Sequence, residues 1–354
     1  MKLNLFCVTL FLLGISANCF AQKFVDAKDL TMINKIGETP NYYERVDVSR
    51  YDLNKTESNL LRMPSSEALV FRTNSKKLWI RTEYENYFVS TNSTQYATSG
   101  YDLYIKRDGK WLWAAAGVSK EKDLKLIEDM DGSMHECLLY LPLYAHISKV
   151  EIGVDEEATI DAIPNPFHHR ILIIGSSFTH GAACSRAGMS YPMILERYTG
   201  VQFVGVAVSG NSKLQPFWAE IIRDGGKFDA VVIDGFSNPS ADLIRKRTHA
   251  MIEEIRAVDP ELPLIFLRTI YRERRNFNTA TEEFEAAKMV AMDEVMKEAV
   301  KKYNKIYYID TPNQTGIDHE TSVDGIHPGD FGYWRWAHAL LKPLTKIFRK
   351  EGIL

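Results

Sequence analysis

The chain has 354 residues, 45% of them hydrophobic and 25% charged, with a formal net charge of -3. That composition is ordinary for a globular protein and excludes a disordered or low-complexity chain. No basic block stands out, so nucleic acid is not an expected partner.

The first residues depart from the average. Lys2 precedes an apolar run over 5–14, and small residues then lead to Ala21. A charged start, a short apolar stretch and a small residue at the cut form the pattern of a secretory signal over 1–21. The run is too short to span a bilayer comfortably. No transmembrane segment is therefore expected after cleavage, and a secreted or periplasmic location is. Cys19 offers a competing reading as a lipoprotein anchor, but Ser16-Ala17-Asn18 fits poorly before such a cysteine. Cys137 and Cys184 remain beyond the signal, in different predicted domains. They read better as two buried thiols than as a disulfide. No Cys/His cluster has metal-ligand spacing.

A first domain is expected over 22–162, and from about Val46 to Ile160 its pattern is β-like. Short runs rich in branched and aromatic residues occupy 68–73 and 77–83, split by the polar pair Asn74-Ser75. A further run over 100–106 leads to Asp108-Gly109, and Trp111-Leu-Trp113 resumes after it. Asp-Gly between two such runs predicts a hairpin. Strands are also expected at 137–141 and 146–153. Several short strands with regular turns predict a β-sandwich. Ile163-Pro-Asn-Pro166 marks a boundary, and a second domain is expected over 163–354. Here strands at 170–175, 202–208, 229–234, 263–268 and 305–309 alternate with helices at 189–199, 216–224, 240–257, 280–303 and 331–349. That alternation predicts a parallel sheet with helices on both faces.

The chemistry concentrates at the ends of these strands. Ile171-Leu-Ile-Ile-Gly-Ser-Ser177 is a buried strand, a glycine exit and a serine at the carboxyl edge, where open α/β sheets bind ligands. Gly210 ends the second strand and Asn238 follows the third. Val323-Asp-Gly-Ile-His-Pro328 places a carboxylate and an imidazole three residues apart. A serine, a histidine and an acid are the minimum set for acyl transfer through a serine ester.

With these four blocks in order, the chain resembles the SGNH (GDSL-type) hydrolase superfamily. Gly100-Tyr-Asp-Leu-Tyr104 is similar to the Gly-x-Asp-Leu-Tyr signature of a β-domain that precedes one SGNH branch, and Cys184-Ser-Arg-Ala-Gly-Met-Ser-Tyr191 also looks like that branch. The resemblance implies a three-layer, flavodoxin-like α/β domain behind a β-sandwich, and a secreted esterase acting on O-acetylated carbohydrate or another small acyl ester. Ser177 would be the nucleophile, His327 the base and Asp324 its orienting acid. The N–H groups of Ser177 and Gly210 and the side chain of Asn238 would form the oxyanion hole. The aspartate usual before the nucleophile is Ser176 here. No metal or organic cofactor is implied. The alternatives are a short-chain lipid or thioester acyl hydrolase, similar to platelet-activating-factor acetylhydrolases, and a non-catalytic glycan-binding protein.

Other residues have blander readings beside the chemical ones. Arg186, in the loop after the nucleophile, is a candidate substrate contact or a structural charge. His180 is a weaker candidate for the base. Tyr333, Trp334 and Trp336 read as core packing rather than a sugar platform, and His168-His169 as surface polarity, since neighbours in an extended segment point apart.

Overall fold

Strand side chains alternate between two faces, and the N-terminal half of the chain buries both faces of its central sheet. The computed structural model describes residues 22–119, 123–311 and 313–354. The signal expected over 1–21, with Cys19, lies outside these residues. The first part contains β1 (Gln22–Asp26), β2 (Thr31–Ile33), α1 (Lys55–Leu61), β3 (Ala68–Thr73), β4 (Leu78–Tyr87) and α2 (Gln95–Thr98). It continues with β5 (Gly100–Arg107), β6 (Lys110–Val118), β7 (Leu124–Ile127), β8 (His135–Tyr140), β9 (Ala145–Asp155) and β10 (Ile160–Ala162).

These strands form two antiparallel sheets. One has the order β1-β9-β4-β7; the other runs β10-β3-β8-β5-β6, with β2 also on β3. Leu69, Phe71, Tyr101, Leu103, Cys137 and Leu139 face the first sheet and make the sandwich core with Leu78, Ile80, Ile147 and Ile152. Their neighbours Ala68, Val70, Tyr104, Leu138 and Tyr140 point the other way, into a core shared with the C-terminal half. The six-stranded sheet is thus a middle layer, which explains why its strands are apolar almost throughout instead of alternating with polar residues. The hairpin between β5 and β6 turns at Asp108 (φ 51°) and Gly109 (φ 75°), the left-handed pair that a tight two-residue turn requires.

The second part contains β11 (His168–Gly175), α3 (Ser177–His180), α4 (Tyr191–Thr199), β12 (Val201–Ala207), α5 (Phe217–Asp224), β13 (Ala230–Asp234) and α6 (Ala241–Val258). It ends with β14 (Leu264–Leu267), α7 (Thr279–Lys302), β15 (Ile306–Ile309) and α8 (Asp330–Lys350). Five parallel strands lie in the order β12-β11-β13-β14-β15. Ile171 and Ile173 pack with α4, α8 and the β-domain. Leu172 and Ile174 pack with α5, α6 and α7. Among the described residues no helix is long and apolar enough to cross a membrane.

The irregular stretch after β2 covers part of the parallel sheet. Ile36, Val46, Leu60, Leu61 and Met63 join the core on the α5–α7 side. Arg45 is fully buried there. Its Nη1 donates to the Gly205 carbonyl (3.3 Å) and its Nη2 to those of Ala207 and Leu60 (2.9 Å each). On the same outer side of β12, the Phe203 N–H donates to Glu196 Oε2 (3.1 Å).

Candidate active site

The strand β11 delivers Ser177 to the carboxyl edge of the sheet. Gly175 is required just before it: a Cβ there would lie 2.1 Å from Thr179 Oγ1. Ser176 caps the short helix that follows, its Oγ accepting from the Phe178 N–H (3.3 Å). From the other end of the chain, a tight loop presents the histidine. Val323 N–H donates to His327 O (2.9 Å), and Gly325 N–H to Ser322 Oγ (2.9 Å). His327 Nε2 then lies 2.9 Å from Ser177 Oγ, and its Nδ1 2.8 Å from Asp324 Oδ2.

The remaining oxygen, Asp324 Oδ1, accepts from the N–H groups of Ile326 (2.9 Å) and His327 (2.8 Å). Burial alone would raise the Asp324 pKa. The His327 N–H, the His327 ring, the Asn92 amide and the Ile326 N–H outweigh it and hold the carboxyl well below the usual carboxylate range. An ionised acid at this point keeps the Nδ1 proton on the imidazole and leaves Nε2 to accept. Phe178 sets its edge against the imidazole (5.6 Å between centroids) and against Trp336 (5.7 Å), fixing the ring plane from below.

Ser177, His327, Gly210 and Asn238 line one cavity of about 360 Å³. Gly210 takes a left-handed turn (φ 70°). Asn238 Oδ1 accepts from the Ser212 N–H (3.3 Å), so its Nδ2 donor is turned the other way. The carbonyl just before it is tethered as well. Ser237 O accepts from Arg272 Nη2 (2.5 Å) and Lys288 Nζ (3.0 Å), and Glu285 Oε1 sits 2.8 Å from both cations. Burial, aided by Arg272, pushes the Lys288 amine down to about 8. Beneath the nucleophile, Asp234 accepts from Thr179 Oγ1 (2.9 Å), and burial pushes its carboxyl up to about 7.

The C-terminal part matches the GDSL-like lipase/acylhydrolase family over residues 168–345, and residues 22–160 match the GxDLY N-terminal domain of SGNH-type esterases. A solved Bacteroides ovatus protein assigned to the GDSL-like lipases is 34% identical, with a TM-score of 0.90, and the match covers 93% of this chain and 98% of that one. The chain belongs to the GDSL-like lipase/acylhydrolase family. Two further solved structures share its fold. A salicylyl-acyltransferase of a tetracycline biosynthetic pathway matches at 15% identity and a TM-score of 0.67, over 92% of this chain and 97% of its own. A family two carbohydrate esterase from Clostridium thermocellum, solved with cellohexaose, matches at 14% identity and 0.59, over 82% and 94%. No functionally curated protein matches the sequence.

For a GDSL-type acylhydrolase, two sequence candidates sit away from the chemistry. Arg186 does not line the cavity. Its Nη1 is bound to Asp102 (2.8 Å) and the Tyr104 hydroxyl (2.6 Å), both from the Gly100-Tyr-Asp-Leu-Tyr104 motif, so its charge joins the two domains. His180 is fully buried, its Nε2 2.8 Å from the Leu143 carbonyl, and burial pushes its imidazole down to about 3. Tyr333 and Trp336 are buried, whereas Trp334 is exposed and stacks on His338. Among the described residues no group of three His, Cys, Asp or Glu is placed to hold a metal.

The β-domain supplies one wall of the cavity, from segments that nothing in the sequence singles out. Phe88, Ser90, Asn92, Ser93 and Tyr144 come from the β-domain and line it opposite the strand ends. Ser90-Thr-Asn-Ser-Thr94 reads as turn chemistry, and nothing in it points to a partner more than 200 positions away.

Proposed function

We propose that this esterase removes short acyl groups, acetyl foremost, from carbohydrate hydroxyls outside the cytoplasm. The observation that carries the reading is the continuous relay from Ser177 Oγ through His327 to Asp324, at 2.9 and 2.8 Å, opening on a cavity shared with Gly210 and Asn238. His327 Nε2 takes the serine proton as Oγ attacks the ester carbonyl. Asp324 stabilises the resulting imidazolium. The carbonyl oxygen becomes an oxyanion held by the N–H groups of Ser177 and Gly210 and by Asn238 Nδ2. One such donor is worth about 3 kcal/mol of transition-state stabilisation. The imidazolium then protonates the leaving alcohol, and water, activated by the same imidazole, releases the acid.

The small volume supports a short acyl group, and the carbohydrate esterase fold relative supports a sugar alcohol. The apolar side chains of Phe88, Tyr144 and Ile326 in the cavity lining favour a second reading, a short-chain lipid or thioester hydrolase. The test is hydrolysis of acetyl, butyryl and octanoyl esters, followed by acetylated oligosaccharides. Preference for acetyl and release of acetate from the oligosaccharide support the first reading. Octanoyl turnover equal to acetyl, with no acetate released, refutes it.

A further inference from the structure

Asn92 stands on the loop after β4, 232 positions from Asp324, yet its Nδ2 lies 2.8 Å from Asp324 Oδ2 and 3.5 Å from His327 Nδ1. An ionised carboxylate can only accept, so the nitrogen of the amide must face it. The other end agrees: Asn92 Oδ1 takes hydrogen bonds from Ser90 Oγ (2.6 Å) and Ser93 Oγ (3.3 Å). Asp324 therefore has four donors, two backbone N–H groups on Oδ1 and the His327 ring with the Asn92 amide on Oδ2. Only the last comes from outside its own loop.

The Asn92 loop is itself gripped by the catalytic domain. Ser93 Oγ accepts from the Ala183 N–H (2.9 Å), and the Thr94 hydroxyl donates to the Ser185 carbonyl. Both partners lie in the segment that follows the nucleophile helix. Other charges at this point are few. The Arg274 guanidinium reaches the Asp324 carbonyl (3.3 Å), and Arg272 lines the cavity beyond.

From this geometry we infer that Asn92 is a positioning residue for catalysis, supplied by the N-terminal domain. It holds the Asp324 carboxylate in the one orientation that aims His327 Nε2 at Ser177, so the active site is complete only while the two domains are joined. The inference rests on the reading of Ser177, His327 and Asp324 given above. Without the amide, the second lone pair of Oδ2 turns to water in the cleft, and the carboxylate plane is held by its own loop alone.

The experiment compares Asn92→Ala, Asn92→Asp and Thr94→Val in the full chain, with Ser177→Ala beside them, on 4-nitrophenyl acetate. Asn92 is only half-buried, so a melting temperature close to wild type is expected for Asn92→Ala, and a lower one for Asn92→Asp, whose carboxylate faces that of Asp324. A lost hydrogen bond to a charged group predicts a roughly ten- to hundredfold fall in kcat for Asn92→Ala, with KM little changed. Asn92→Asp places a second carboxylate beside the imidazole. Its activity should be lower still, and its pH–rate profile should move to higher pH, because a nearby negative charge favours the protonated ring. Thr94→Val, which cuts the loop's grip and the side-chain cap of α2 but leaves the Asn92 amide in place, should lower the melting temperature and leave the pH profile in place. Wild-type kcat in Asn92→Ala, or an unmoved profile in Asn92→Asp, overturns the inference while an inactive Ser177→Ala keeps the functional reading intact. An active Ser177→Ala overturns that reading instead.

Discussion

Replacing Asp102 with alanine tests how the domains are joined, and the size of the effect follows from its contacts. The carboxylate is fully buried. It accepts from Arg186 Nη1 (2.8 and 3.1 Å to its two oxygens), from the Gly188 N–H (2.8 Å) and from Trp113 Nε1 (3.1 Å). Breaking such a pair from one side costs about 3–5 kcal/mol, because the other charge is left without its partner. The Arg186 side chain is 21% exposed and keeps the Tyr104 hydroxyl. Partial solvation places the loss at the lower end, about 3 kcal/mol. At roughly 2 °C per kcal/mol for a large chain, the melting temperature should fall by about 6 °C. Urea unfolding followed by tryptophan fluorescence would measure the loss. Adding Arg186→Met to Asp102→Ala should recover part of it, since the stranded charge is then gone. A loss under about 1 kcal/mol, well below the range for a broken buried pair, or no recovery in the double variant, would show that the Asp102–Arg186 pair does not help to join the domains.

Ser177→Ala should abolish ester hydrolysis and labelling by a fluorophosphonate, whereas Ser176→Ala, which loses only a helix cap, should remain active; the opposite pattern reassigns the nucleophile. Exhaustive chelation should leave the rate unchanged, and a loss restored by one divalent ion would contradict the serine mechanism. Burial pushes the carboxyls of Asp234 and Glu196 up to about 7 each, above their unfolded values near 4. Between those limits the folded state holds protons that the unfolded state releases, so their contribution is full below about pH 4 and is lost as pH rises through about 7. Thermal melts from pH 5 to 8 should show this decline, and Glu196→Gln should flatten it; an unchanged slope in that variant would remove Glu196 from the account. A chain starting near Pro164 should be insoluble or poorly folded, since it uncovers Ile171 and Ile173 on one face and loses Leu60 and Leu61 on the other; a soluble, cooperatively melting fragment would refute this.

The parallel sheet was legible because both its faces are buried. Strands such as Ile171–Ile174 are then unbroken apolar runs, and the helices between them carry regular spacing. The β5–β6 hairpin was legible through Asp108-Gly109. The strands β1, β2, β7 and β10 were not: they are three to five residues long, too short to show a period, and they lack the flanking helices that mark out the equally short β13, β14 and β15. The Ser177, Asp324 and His327 blocks each carry a local signature, a glycine exit or an Asp-x-x-His spacing. Asn92 and Arg186 carry none. What they do is set by partners far away in sequence, Asp324 and Asp102, and a long-range contact of a single polar residue leaves no local pattern. Arg186 was singled out for its place near the nucleophile, but a buried acid nearby claims its charge first.

The buried Arg45 has a consequence beyond its own packing. An end strand of a sheet exposes a row of unpaired carbonyl and amide groups, a template on which a foreign strand can add. On β12 three groups of that row are already taken, the Gly205 and Ala207 carbonyls by Arg45 and the Phe203 amide by Glu196. Side chains thus do what a sixth strand would do, without offering a new edge in turn. A second copy of the chain, or an unfolded chain, would have to displace both side chains to pair with β12 there. Such partial capping guards against aggregation through this edge.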